Sequence, residues 1–478
     1  MGAARPVTGH AFDLAVIGAG SAGLSITAVA AQLGLRVALI ERGRMGGDCL
    51  NAGCVPSKAL LAAAHAAQAA RRAHRLGVSL AEPVVDWAAV RAHVSGVIAA
   101  IAPSDSEERF RALGATILRG EARFVAADAL EVDGARLSAG HIVIAAGSRP
   151  AIPPVPGLER LAYLTNETLF EIAEKPEHLL ILGGGPIGLE MADAHAGLGC
   201  RVTIVEADRI AGHDDPELAT GLREALTRKG VAILEGAAVA EAAPGPTLAL
   251  RDGRRLSGSH LLVATGRQPN LEALALDVGG VRATARGIAT DAGLRSLTNR
   301  RVFAAGDIAD PQGIGPRAFT HVGTYHAGVV IRRALFHLPA RLDYRALPRV
   351  TYTDPELAQA GPTEAETRAA GRRVSVLRWR MEENDRAQTE RDTDGMVKLV
   401  VERGRVIGAG ILAPHAGEMI GQWTLAVDRG LPVRALAELI APYPTRAEAG
   451  KRAAGTHYGA RLFAPCTRRL VRALAWLP

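Results

Sequence analysis

The sequence predicts an α/β fold in which one strand–turn–helix–strand unit occurs twice and a separate α+β domain follows, and three observations carry that reading. Nearly half of the 478 residues are apolar, Gly and Ala are abundant and aromatic residues are scarce, which suits helices packed closely on sheets. Apolar strands run into glycine-rich turns at residues 18–23 and again at 183–188. From about Pro348 the texture changes to alternating strands followed by helices, the pattern of a different layer arrangement. A chain this long exceeds one ordinary core, so about two to four domains are expected.

Taken in order, the first unit is a strand over 12–17, the turn Gly18-Ala19-Gly20-Ser21-Ala22-Gly23, an Ala-rich helix ending near Gly34, and a strand over 36–40 that ends in Glu41. Such turns let the backbone approach a pyrophosphate at a helix N-terminus, while the acid takes ribose hydroxyls. The unit recurs as a strand over 178–182, the turn Gly183-Gly184-Gly185-Pro186-Ile187-Gly188, a helix to about Leu198, and a strand over 201–205 ending in Glu206. Glu41 follows Gly23 by 18 residues, and Glu206 follows Gly188 by the same 18. Two Rossmann-like units imply two dinucleotides.

Segments 142–147 (IVIAAG) and 261–266 (LLVATG) are short apolar strands ending in small residues, each followed by Arg and Pro, and are expected where the chain crosses between domains. Residues 302–307 (VFAAGD) form another buried strand ending in a Gly-Asp pair. The C-terminal strands are expected at 374–379, 396–401 and 406–412.

Charge excludes little but points away from nucleic acid. The formal net charge is +7, yet Arg is spread along the chain and no aromatic residues alternate with basic clusters. The N-terminus has no basic-then-apolar signal pattern, and no apolar run reaches the roughly 18 residues of a membrane span, so a cytoplasmic location is the expectation. Four cysteines, Cys49, Cys54, Cys200 and Cys466, are too few for a disulfide framework.

Two of them ask for chemistry. Cys49 and Cys54 lie in GGDCLNAGCVPSK (46–58), directly before a long Ala-rich helix. A helix start exposes N–H groups that favour a thiolate at Cys54, and Cys49 is then free to exchange. A zinc site would want two more nearby ligands, and none is at hand.

These motifs, with GAGSAG, CLNAGC, GGGPIG, ATGRQPN (264–270), AAGDI (304–308) and YTDPELAQAG (352–361) in order over nearly the whole chain, resemble the FAD-dependent pyridine nucleotide-disulfide oxidoreductases, the family of dihydrolipoyl dehydrogenase, glutathione reductase and mercuric reductase. The resemblance implies that electrons pass from NAD(P)H through flavin and a redox disulfide Cys49–Cys54 to a disulfide or soft metal-ion acceptor, in a homodimer. It implies that Gly18, Gly20, Gly23 and Glu41 hold FAD with Gly47 and Asp307, the last on the ribityl chain. Gly183, Gly185, Gly188, Glu206 and Gly266 fall to the second nucleotide. Lys58 matches a lysine beside the flavin and Glu190 its ion-pair partner. The expected division is an FAD-binding domain over 1–150 and 271–345, an NAD(H)-binding domain over 151–270, a dimerisation domain over 346–460 and a basic amphipathic tail over 461–478.

Nicotinamide preference rests on charge. Glu206, with Asp208 beside it, would repel the phosphate of NADPH, so NADH is favoured; Arg209 keeps NADPH as the lesser alternative.

The family pattern breaks at one place. Dihydrolipoyl dehydrogenase carries a histidine base before Pro-Thr and a glutamate five residues on; here Tyr443 stands for the histidine and Glu448 is in place. Tyrosine titrates near 10, so it is a poor base at neutral pH and lipoamide turnover should suffer. Mercuric reductases share the tyrosine but carry adjacent cysteines near the C-terminus, whereas Cys466 is single and is read as packed or incidental. His321 and His326 are read as packing residues, and His415 as structural near the dimer contact. Arg461, Arg468, Arg469 and Arg472, with Leu470, Val471, Leu474 and Leu477 at helical spacing, make an amphipathic helix for the dimer or an anionic membrane surface. The rival readings are a membrane-associated NADH:quinone or oxygen oxidoreductase and a nucleotide-binding protein without turnover.

Overall fold

The computed structural model describes residues 10–477. Strands Thr116–Arg119, Val37–Glu41, Phe12–Ile17, the C-terminal half of Ala135–Ile144 and Val302–Ala304 lie parallel in that order. From the other half of Ala135–Ile144 the sheet continues antiparallel through Ala129–Val132 and Ala122–Ala126. The central strands read as unbroken apolar runs because both faces are covered: Leu14, Ala15, Val16, Leu39, Val143 and Phe303 have no exposed surface.

The second unit has its own four-stranded parallel sheet, in the order Ala232–Leu234, Arg201–Val205, His178–Leu182, His260–Val263. An antiparallel meander, Val239–Ala243, Thr247–Leu250 and Arg255–Ser257, adjoins it. The two Arg-Pro segments expected at domain crossings lie side by side: Ser148–Pro150 pairs antiparallel with Arg267–Pro269. The C-terminal sheet is five-stranded and antiparallel, Pro348–Thr351, Glu356–Ala360, Arg405–Ala413, Met396–Glu402, Ser375–Arg380, and packs around buried Trp423.

One packing relation positions the chemistry. Helix Cys54–Arg72 buries Leu60, Leu61 and Ala64 in the core of the second unit, with Leu189, Ala192 and Leu179, rather than in the first unit that precedes it in sequence. It lies against helix Pro186–Gly197, so the residues following the cysteines meet the residues following the second glycine turn.

Two expectations are corrected. The tail is not one helix from Arg461: Arg461 and Leu462 end helix Glu448–Leu462, and a new helix, Pro465–Leu474, starts where Pro465 occupies the first turn. That second helix buries none of its residues, and Cys466 in its first turn is exposed, which agrees with the incidental one of its two readings. His321 also is not a packing residue; it is exposed, stacked on Phe319 at 5.3 Å, with Nε2 at 2.9 Å from the Pro348 carbonyl. His326 is buried. Among the described residues no helix is long and apolar enough to cross a membrane.

Candidate active site

The two glycine turns are built alike. Gly18 and Gly183 have φ of +102° and +113°, and an added Cβ on either would stand 2.4 Å from the carbonyl oxygen of Ala145 or Ala264. Those two carbonyls belong to the IVIAAG and LLVATG segments, whose backbone is thus what requires glycine at 18 and 183. At the third glycine an added Cβ would meet Gly18 O at 1.9 Å (Gly23) or Gly183 O at 2.1 Å (Gly188), so helix and strand could not close on any larger residue. The middle glycines differ: Gly20 meets only Gly47 Cα at 4.0 Å, and Gly185 meets nothing within 4 Å. Their outer sides face open space, which a pyrophosphate fits.

The paired acids repeat as well. Glu41 accepts hydrogen bonds from the Ala19 N–H at 2.7 Å and the Gly43 N–H at 2.6 Å. Glu206 accepts from the Gly184 N–H at 2.7 Å and the Asp208 N–H at 2.9 Å. Each carboxylate thereby fixes the turn that would hold its nucleotide.

Between the two turns lies a cleft of about 2710 Å³, lined by Gly18, Gly20, Gly47, Glu41, Cys49, Cys54, Lys58, Glu190, Asp307, Gly183, Gly185, Glu206 and Gly266. Asp307 is drawn into a half-buried chain in which the Ser148 hydroxyl donates to it at 2.6 Å and Arg267 Nε donates to Ser148 at 2.7 Å. Burial pushes its carboxyl above the usual range. The same guanidinium reaches Asp48 at 3.3 Å. The residues thus fit a flavin dinucleotide in the first half of the cleft, with Asp307 available to ribityl hydroxyls, and a nicotinamide dinucleotide in the second.

Cys54 is the first residue of its helix and Cys49 sits in the short helix Gly47–Asn51, which sequence reasoning did not foresee. Both thiols are free, and each shifts the titration of the other. The Cys49 hydrogen bond, with Thr320 and the Lys58 charge adding, lowers the Cys54 thiol to about 6 against the opposing pull of burial. Cys49, holding the proton, is pushed up by that same bond. Thr320 Oγ1 lies 3.1 Å from Cys54 Sγ, and it opens helix Thr320–Ala334. Lys58 Nζ pairs with Glu190 Oε2 at 2.7 Å; Glu190 is buried, so the pair is not an incidental surface contact.

Tyr443 and Glu448 do not reach this cleft within one chain. Tyr443 is 68% exposed and its hydroxyl donates to Asp385 Oδ2 at 3.0 Å; that bond holds its phenol above the ordinary value. Glu448 pairs with Arg452 at 2.8 Å. His415 caps helix Ala416–Asp428 with φ of +61°. Thr320, Arg267, Ser148 and Tyr352 went unassigned in the sequence. Arg267 and Tyr352 stand in quoted motifs, but nothing along the chain marks Thr320 or Ser148.

The model of the pyridine nucleotide-disulphide oxidoreductases matches residues 12–329, and that of their dimerisation domain matches 347–454. A mercuric reductase from Streptomyces lividans is 39% identical over 466 residues, 93% of this chain and 96% of that one. A dihydrolipoyl dehydrogenase from Geobacillus stearothermophilus is 34% identical over 459 residues, 93% and 96% of the two chains. Among solved structures, the Cu(II) complex of the HOCl-induced flavoprotein disulfide reductase RclA from Escherichia coli superposes with a TM-score of 0.82 at 26% identity, over 92% of this chain and 98% of that one.

Proposed function

The chain belongs to the pyridine nucleotide-disulphide oxidoreductase family, and from that premise we propose that this FAD-dependent oxidoreductase reduces a soft metal ion carried by thiols, with NADH as reductant, as a homodimer. The observation that carries the acceptor is the Cys49–Cys54 pair on the open cleft, with a hydroxyl, Thr320, and an ion pair, Lys58–Glu190, beside it and a tyrosine rather than an imidazole at position 443. Bound FAD supplies a two-electron relay between the nicotinamide and the cysteine pair.

The chain's own residues then act as follows. The Cys54 thiolate attacks the metal ion and displaces one carrier thiolate. The freed thiolate takes the proton from Cys49, and Cys49 displaces the second carrier. Two sulfurs hold a linear, two-coordinate soft ion well. In the net reaction NADH and one proton convert the ion's dithiolate complex to the metal, two thiols and NAD⁺. No separate base is required, which suits a chain with tyrosine at 443. In a disulfide such as lipoamide the thiolate is expelled from sulfur rather than released from a metal, a step that a protonated base assists, and tyrosine at 443 is a poor proton shuttle at neutral pH.

The nucleotide assignment follows from Glu206 and Asp208, both lining the cleft, while the Arg209 guanidinium is tied to the Gly212 carbonyl at 3.1 Å. Homodimerisation is supported by the dimerisation-domain match and by the exposure of Tyr443 away from its own cysteines. The test is NADH consumption by the purified flavoprotein with thiol-complexed Hg(II) and with lipoamide, each beside Tyr443→His. The expected result is brisk Hg(II) reduction, slow lipoamide turnover, and a rise of about 100-fold or more in the latter with histidine. Fast lipoamide turnover by the unsubstituted protein would overturn the assignment.

A further inference from the structure

Tyr352 follows strand Pro348–Thr351 of the C-terminal sheet and lines the cleft of its own subunit. Its ring lies under the Lys58 ammonium at 4.3 Å, a separation at which the π face attracts a cation. Its backbone N–H donates to Glu190 Oε1 at 3.0 Å, the oxygen that Lys58 leaves free. The ring edge also abuts Gly417, where an added Cβ would stand 3.3 Å from Tyr352 Cε1. We infer that Tyr352 is a positioning residue: ring and backbone together fix the Lys58–Glu190 pair beside Cys54, so the C-terminal domain sets the chemistry of a cysteine on the redox helix. This inference rests on the assignment of Cys54 and Lys58 to the redox site.

Lys58 lowers the Cys54 thiol and Glu190 raises it. Without the ring, water would surround the ammonium and leave Glu190 less compensated, and both changes act against the thiolate. The charged or titratable groups involved are Cys49, Lys58 and Glu190 around Cys54, and Glu190, Glu356 and Glu418 around Tyr352. Exchange of the ring leaves the segment anchored, because the Asp354 N–H donates to Asp193 Oδ2 at 2.8 Å one turn further along helix Pro186–Gly197.

The test is the pH dependence of Cys54 alkylation by iodoacetamide in the dithiol-reduced holoenzyme, with the modified cysteine identified by peptide mapping. Tyr352→Phe keeps the π face and should titrate as the unsubstituted protein does. Tyr352→Leu should move the Cys54 titration up by about half a pH unit, roughly threefold fewer thiolates on the acid side. Pentafluorophenylalanine at 352 keeps the shape of Phe and reverses the ring quadrupole, so it should shift as Leu does and serves if Leu packs poorly. Lys58→Met is the reference. A shift with Lys58→Met but none with Leu or the fluorinated ring overturns the role of Tyr352 alone; no shift with Lys58→Met overturns the underlying assignment and this inference together.

Discussion

Gly20→Ala and Gly185→Ala should separate the two nucleotide sites. Neither substitution disturbs the protein itself, since the added methyl on Gly20 meets only Gly47 Cα at 4.0 Å and that on Gly185 meets nothing within 4 Å. In the cleft the same methyl would stand where a pyrophosphate approaches the backbone. Crowding of that kind costs about 1–3 kcal/mol, which is about 5- to 150-fold in affinity. Gly20→Ala should therefore weaken retention of FAD, read from flavin absorbance after dialysis, and leave nicotinamide binding intact. Gly185→Ala should keep the flavin and raise KM for NADH by that factor. The third glycines supply the contrast: Gly23→Ala and Gly188→Ala put a methyl about 2 Å from a carbonyl oxygen and should lower thermal stability before any ligand is added. A Gly185→Ala protein that lost flavin and bound NADH normally would refute the assignment of the two turns.

Further outcomes follow from the charges. Alkylation of Cys54 should rise through about pH 6, giving about 90-fold more thiolate at pH 7 than a thiol titrating at 9. Cys49→Ala, which removes the leading cause of the shift, should return the Cys54 titration toward the ordinary thiol range. His326 and His195 are buried and held to about 4, so the unfolded chain binds more protons between about pH 4 and 6.5. Stability should therefore fall as pH drops through that window and stop falling below it, by about 3 kcal/mol for each histidine. His326→Gln should remove one share of that acid dependence in a urea titration. Lys398, nearly buried among Asp215, Glu217 and Glu364 at 2.8 to 2.9 Å, joins the second unit to the C-terminal sheet. Lys398→Met leaves buried Asp215 without its cation, while Glu217 and Glu364 keep Arg378, and should destabilise the protein by about 3–5 kcal/mol in equilibrium unfolding.

What the sequence made legible is local. The glycine turns, the acids 18 residues beyond their last glycines, and the strands around them depend on neighbours along the chain, and strands His178–Leu182 and Arg201–Val205 stand where the pattern places them. The partners of the redox site depend on tertiary packing. Thr320 reaches Cys54 across 266 residues of chain, and Tyr352 reaches Lys58 because helix Cys54–Arg72 packs on the second unit. The same limit explains the errors. His321 stands in sequence that reads as packed helix, yet it lies on the wall of the cleft, and the tail reads as one helix, yet Pro465 starts a second one that buries none of its residues.

The central claim is that electrons leave through the cysteine pair. It is tested most directly by NADH-dependent turnover of the Cys49→Ala/Cys54→Ala flavoprotein with thiol-complexed Hg(II). The account predicts that NADH still bleaches the flavin while turnover of the metal complex is lost. Undiminished turnover would mean that the acceptor takes its electrons without the cysteines, as a quinone or oxygen reductase would allow, and would contradict it.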